Sequence, residues 1–251
     1  MDSPVFILST GRTGTQFFED YFNQTSHRAV CKHEPWPSRR FKFLSNLYLN
    51  QKVSPGLVGR IYKNSRKKLF RNLGGLTYIE SSNFIFGCVP SLSEIYGEVR
   101  IIHLVRHPVS YVSSHLGKGF WRGYKRFFAK HVPYWLEKLD VEDRSDPIQL
   151  LAARWNYVNR QIGSYAVTNP YLRISFEELF SGDAGLASAR LNQIREFCGL
   201  SHLDRAENEL WLQNPKNVAM LKDALQPGEV AVIVASCSDL MKEYRYTEGA
   251  T

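Results

Sequence analysis

The opening of the chain constrains its fold more than any other feature. Four consecutive apolar residues, Val5, Phe6, Ile7 and Leu8, run into Ser-Thr-Gly-Arg-Thr-Gly-Thr-Gln at positions 9–16, and Phe17, Phe18, Tyr21 and Phe22 follow. A short apolar run bounded by glycines reads as a buried strand, and aromatics recurring at i, i+1, i+4 and i+5 read as one face of a helix. A strand that turns through two glycines into a helix gathers backbone N–H groups at the positive end of the helix dipole. Such a spot stabilises an anion.

The same alternation continues along the chain. Strands are expected at 29–32, 76–80, 99–105 and 171–176, the third of these nearly continuous in apolar residues and so buried on both faces. Helices are expected from Pro108, over 146–165, over 191–197 with Gly199 closing it, and over 227–244, the last amphipathic. This order predicts an α/β fold: a central parallel sheet flanked by helices, of the P-loop type, with its ligand site at the carboxyl ends of the strands. The 251 residues suit one domain, 1–251. Two segments, 35–72 and 117–135, mix Lys and Arg with aromatics, show little strand character and read as insertions beside the site.

Charge narrows the choice of partner. A net charge of +8 favours an anionic ligand, because a positive field concentrates phosphate-bearing molecules. Four cysteines, Cys31, Cys88, Cys198 and Cys237, lie far apart without a CxxC pair and suit free thiols in a reducing compartment. No secretion signal is visible at the start and no apolar stretch has the length of a membrane span. The expectation is a cytoplasmic protein, soluble or at most peripheral to a membrane, with no nucleic-acid partner.

The loop at 9–16 is not an ATP or GTP loop of the usual kind. Gly14 is followed by Thr15 and Gln16 instead of Lys and Ser/Thr, and the single cation of the loop is Arg12. Gly11, Arg12, Thr13, Gly14, Thr15 and Gln16 resemble the 5'-phosphosulfate-binding loop of sulfotransferases, in which a basic residue, a small hydroxyl residue, Gly and Thr follow the first strand. A second stretch carries the resemblance further: Arg106 ends the strand at 99–105, Pro108 opens a helix, and Ser114 lies eight positions after Arg106. That spacing is similar to the 3'-phosphate site of the same family, although His107 stands where the family more often has Asp. Weaker matches follow in the same order, at 78–82, around Trp155, at 174–179, at 194–200 and at 233–246, and together they cover nearly the whole chain.

The resemblance implies a transferase that uses 3'-phosphoadenosine-5'-phosphosulfate (PAPS), releases the 3',5'-bisphosphate PAP, and acts on a hydroxyl of a glycan, glycolipid or small metabolite. Arg12 would neutralise the leaving phosphate, and the scheme requires no metal, because fixed cations stabilise the charge. Glu34, in the run Cys-Lys-His-Glu-Pro at the end of the second strand, resembles the catalytic carboxylate of several glycan sulfotransferases. His33 beside it is the other candidate base. Glu80 is a weaker candidate, since Ser81 replaces the Lys that related glycan enzymes carry next. Lys216 and Lys222 are candidates for a late cation near the 3'-phosphate. The insertions, with Arg39, Arg40, Arg66, Lys67, Lys68, Trp121 and Arg122, would hold an anionic acceptor, touch a lipid headgroup, or form a solvated face. His103 and His107 are spaced i, i+4 on a strand and its end, a poor geometry for a metal. Two other classes stay open on the residues alone: a Mg-dependent nucleotide kinase or NTPase, for which a strand-end Asp is missing at Arg106, and a noncatalytic basic binding module.

Overall fold

The computed structural model describes residues 3–117, 139, 141, 143–180, 182–212 and 225–246. The chain divides into two compact units, Met1–Val105 with Gln161–Lys216, and Arg106–Arg160 with Asn217–Thr251.

The first unit is built on a five-stranded sheet of β1 (Val5–Ser9), β2 (Ala29–His33), β3 (Thr77–Ser81), β4 (Arg100–Val105) and β5 (Tyr171–Ser175), in the order β2-β3-β1-β4-β5. Every pairing is parallel, with Val5 opposite Ile79 and Arg100, Cys31 opposite Ile79, and Leu104 opposite Ile174. The apolar runs read from the sequence are these strands, and Val5 to Leu8 are wholly buried, as a central parallel strand covered on both faces must be.

Helices cover the two faces. On one, α1 (Phe17–Thr25) presses Phe18, Tyr21 and Phe22 onto Ile7, Cys31, Ile79 and Ile102, together with α8 (Ala184–Phe197). Each of these aromatics is buried, which contributes on the order of 2 kcal/mol apiece. The α8 helix starts at Asp183, whose carboxylate accepts from the Leu186 N–H at 3.0 Å. Its end is the expected one: Gly199 has φ +73, and the Leu200 N–H returns to the Arg195 carbonyl at 2.9 Å. On the other face lie α2 (Ser38–Leu49), α3 (Pro55–Arg71) and α4 (Val89–Tyr96), with the Tyr62 ring edge-on to Phe6. The segment 35–72, read from the sequence as an insertion, is thus a helical pair. Short helices α7 (Phe176–Phe180) and α9 (Arg205–Leu212) complete this unit among the described residues.

Connections leaving β1 and β4 run to opposite sides of the sheet, β1 toward β2 and β4 toward β5. Ligand crevices in open α/β sheets form at the carboxyl ends of such a neighbouring pair. The loop at 9–16 stands at the end of β1, and Arg106 is the residue that directly follows β4.

The second unit contains α5 (Pro108–Leu116), α10 (Pro227–Glu243) and most of α6 (Pro147–Ser164). Asp146 caps α6 by accepting from the Ile148 N–H at 2.8 Å. Buried Ile233, Cys237, Leu240 and Met241 line the inner face of α10, which packs on α5. All four cysteines are free and buried, and burial pushes the Cys88, Cys198 and Cys237 thiols up to about 12. No described helix is long and apolar enough to cross a membrane.

Candidate active site

The loop after β1 is held in a conformation that only its glycines take without strain. Gly11 has φ +87 and Gly14 has φ +73. A Cβ on Gly11 would stand 2.6 Å from the Asn83 amide nitrogen, and one on Gly14 would meet the Phe180 ring at 3.1 Å. Arg12 between them also has φ +60, a left-handed conformation that disfavours a branched or long residue by about 1–2 kcal/mol.

The loop is tied from both sides. The Gly11 N–H donates to Ser9 Oγ at 3.1 Å, the Phe17 N–H to the Gly14 carbonyl at 3.0 Å, and the Ser81 hydroxyl to the Thr15 carbonyl at 2.7 Å. Gln16 stands at the helix cap but is exposed, and its side chain makes no capping bond. Thr13 is fully buried, and its hydroxyl has no hydrogen-bond partner. A buried hydroxyl without a partner calls for an explanation, and in a turn lined by backbone N–H groups and one arginine the explanation at hand is an anionic ligand. Burial lowers the Arg12 guanidinium from its ordinary value. These donors fit a phosphate or sulfate group.

At the neighbouring strand ends, β2 stops at His33, and Glu34 continues with φ +44, its N–H bonded to the Ser81 carbonyl at 2.9 Å. The alternation of a strand therefore does not govern where Glu34 points relative to His33. The His33 ring lies half-buried with Nδ1 at 3.4 Å from Ser81 Oγ. The Ser81 hydroxyl donates to the Thr15 carbonyl, so its oxygen is placed to accept from a ring that carries its proton on Nδ1. Burial is the larger influence on this imidazole and lowers its pKa, while Glu19 opposes the shift. Glu19 itself is occupied by Lys32 Nζ at 3.2 Å and the His33 N–H at 3.0 Å.

Two expectations are corrected here. Glu80 is a structural group, not a base at the site: buried, it receives Arg66 at 2.7 and 2.9 Å, the Tyr62 hydroxyl at 2.8 Å and the Tyr78 hydroxyl at 2.6 Å. Arg66 is likewise no surface cation for an acceptor or a lipid, because it lies inside the first unit against Glu80.

Arg106 and Ser114 lie in the second unit. Arg106 has its carbonyl fixed by the Trp155 indole N–H at 2.8 Å, and Ser113 and Ser114 are both buried on α5. Trp155 is a core residue, its ring edge-on to Tyr244. His107 is buried against Tyr246, and His103 bonds the Tyr171 hydroxyl at 2.6 Å. Lys216, Lys222, Trp121 and Arg122 lie outside the described residues, as does the 117–135 segment beyond Gly117.

Two residues at the site escaped sequence reading. Ser81 bridges the loop and His33, doing work that no motif announces. Asn83 sits against Gly11 with its side-chain oxygen buried and unpartnered. Their only signal was position, Ser81 as the last residue of β3 and Asn83 just past its carboxyl end.

No protein-family model matches the chain, and no curated relative matches it. Solved structures do. A sulfotransferase from Alicyclobacillus acidocaldarius superposes with a TM-score of 0.59 at 15% identity, over 98% of this chain and 97% of that one. Sulfotransferase STF9 from Mycobacterium avium gives 0.63 at 13% identity, over 98% and 78%. Mouse sulfotransferase SULT7A1, solved with PAP, gives 0.58 at 10% identity, over 96% and 85%. At such identities the likeness is one of fold, and the chain has the sulfotransferase fold expected from its sequence.

Proposed function

We propose that this protein, built on the sulfotransferase fold, moves the sulfuryl group of PAPS to an acceptor hydroxyl and releases PAP. The observation that carries the reading is the loop at 9–16: a turn rich in backbone donors, holding one cation and one buried hydroxyl without a partner, at the end of the central strand. SULT7A1, on the same fold, binds PAP.

The donor supplies a sulfuryl group attached to a phosphate leaving group. Arg12 and the N–H groups of residues 13–16 bind the 5'-phosphosulfate and stabilise the charge that gathers on the phosphate as its bond to sulfur breaks. Arg106 and Ser114 take the 3'-phosphate, as the family resemblance implies, with Lys216 as a further cation. The acceptor hydroxyl gives its proton to a base at the end of β2 while its oxygen bonds sulfur. Glu34 is that base by resemblance. His33 is a second reading, supported by its half-buried ring at the end of β2 beside Ser81. The Glu-Pro segment favours sugar hydroxyls as acceptors, in a glycan, a glycolipid or a small metabolite.

Binding and chemistry are tested separately. PAP at about 100 times its Kd is expected to stabilise the fold by about 2.7 kcal/mol, which raises Tm by roughly 5–10 °C in a chain of this size. The shift should persist in EDTA, shrink for 5'-AMP, and shrink in Arg106→Ala. An equal response to PAP and 5'-AMP overturns the reading. Turnover then identifies the base: Glu34→Gln or His33→Asn, whichever removes it, lowers kcat by about 10²–10⁴-fold and erases the acid limb of the pH profile, with PAP affinity unchanged. For His33 that limb lies below the usual histidine range, because burial lowers its pKa.

A further inference from the structure

The segment between Glu34 and Glu80 contains ten lysines and arginines and no aspartate or glutamate. Glu80 neutralises one of them, the buried Arg66. Eight of the other nine lie on α2 and α3, whose outward faces differ in character. Along α2, Arg40, Phe43 and Leu47 recur at steps of three and four, the spacing of a single helical face, and Trp36 lies two residues before the helix. Trp36 is 80% exposed, Phe43 45% and Leu47 37%, and the Arg40 guanidinium stands 5.5 Å from the Trp36 ring. Along α3, Arg60, Lys63, Lys67 and Arg71 recur at steps of three, four and four, all exposed. Among the described residues no carboxylate pairs with any of these four.

A soluble polyanion would be served by the cations alone. An aromatic and aliphatic stripe held in water beside them has no use for such a partner, and it is unfavourable unless something apolar covers it. A bilayer surface with anionic headgroups meets both features: the cations face the phosphates, and Trp36, Phe43 and Leu47 enter the boundary between headgroups and acyl chains, where tryptophan is enriched. We propose that the α2–α3 pair docks this protein on anionic membrane surfaces. The inference does not depend on the transferase reading, since it rests on surface charge and exposure alone.

The test is co-sedimentation of the full chain with vesicles of phosphatidylcholine, with and without phosphatidylglycerol. Binding to the anionic vesicles is expected, falling as salt rises, with none to phosphatidylcholine alone. Replacing Arg60, Lys63, Lys67 and Arg71 together by Gln should weaken partitioning by about a hundredfold or more, and Phe43→Gln with Leu47→Gln should weaken it by about tenfold or more. All six positions are exposed, so unchanged thermal melting of the variants is the control for folding. If the wild type does not sediment with anionic vesicles at low salt, or if the glutamine variants at the cations bind as well as wild type, docking is refuted. If the Phe43 and Leu47 variant binds as wild type does, the partner is a soluble polyanion and the membrane assignment falls.

Discussion

Replacing Arg12 by glycine is expected to lower turnover by about 10²–10³-fold, the range for removing one preorganised donor to a developing charge, without destabilising the protein. Arg12 is held at φ +60, where glycine is comfortable and arginine is not. The glycine variant should therefore melt at the wild-type temperature or slightly above, a gain of at most about 1 kcal/mol, while kcat collapses and PAP binding weakens. Steady-state kinetics with labelled donor and a thermal melt on the same preparation measure both. Wild-type turnover in the glycine variant would remove Arg12 from the chemistry, and with it the assignment of the loop.

The second large effect is on stability. Arg66→Ala is expected to destabilise the fold by about 3–5 kcal/mol, because it leaves the Glu80 charge buried without its partner. The pair is sealed: Arg66 is 1% exposed and Glu80 0%. Burial alone would lower the pKa of the guanidinium, but the hydrogen bonds and charge of Glu80 raise it above its ordinary value. Burial first, and then the Glu80 charge, push the Tyr62 and Tyr78 hydroxyls well up, so both remain protonated donors. The same guanidinium also holds the Trp36 carbonyl at 3.1 Å and Ser38 Oγ at 2.9 Å, and Ser38 in turn donates to the Pro35 carbonyl. Arg66 thus anchors the residues that directly follow Glu34, and its loss should reduce turnover in whatever fraction of the protein stays folded. Urea midpoints read the stability. Pairing Arg66→Met with Glu80→Gln should restore much of the loss, since no lone charge is then buried. A loss below about 1 kcal/mol for Arg66→Ala would mean that the network is not what fixes this face of the sheet.

The fold was legible because its signals are local. Four apolar residues before Ser9, the aromatics of α1 at helical spacing, Pro108 at the start of α5 and Gly199 after α8 each declare their element within a few residues, and their order dictates a parallel sheet. The loop at 9–16 was legible for the same reason: its glycines, its arginine and its hydroxyls are contiguous. Glu80 and Arg66 were misread because their meaning is not local. Fourteen positions apart in sequence, they look like a strand-end acid and one cation in a basic run until the fold closes them on each other. Ser81 and Asn83 were missed because neither serine nor asparagine signals a role unless its neighbours in space are known.

The sequence by itself determined the class of fold, the place of the glycine-rich turn after the first strand and the uniformly positive character of residues 35–79, since all of these follow from residue type and spacing along one strand or helix. Tertiary structure decided the rest: that the Ser81 hydroxyl lies between the Thr15 carbonyl and the His33 ring, that Thr13 is buried without a partner, and that Arg66 of the basic segment is a strut instead of a surface charge. Each of these depends on which distant groups share a space too small for water, and spacing along the chain does not encode that.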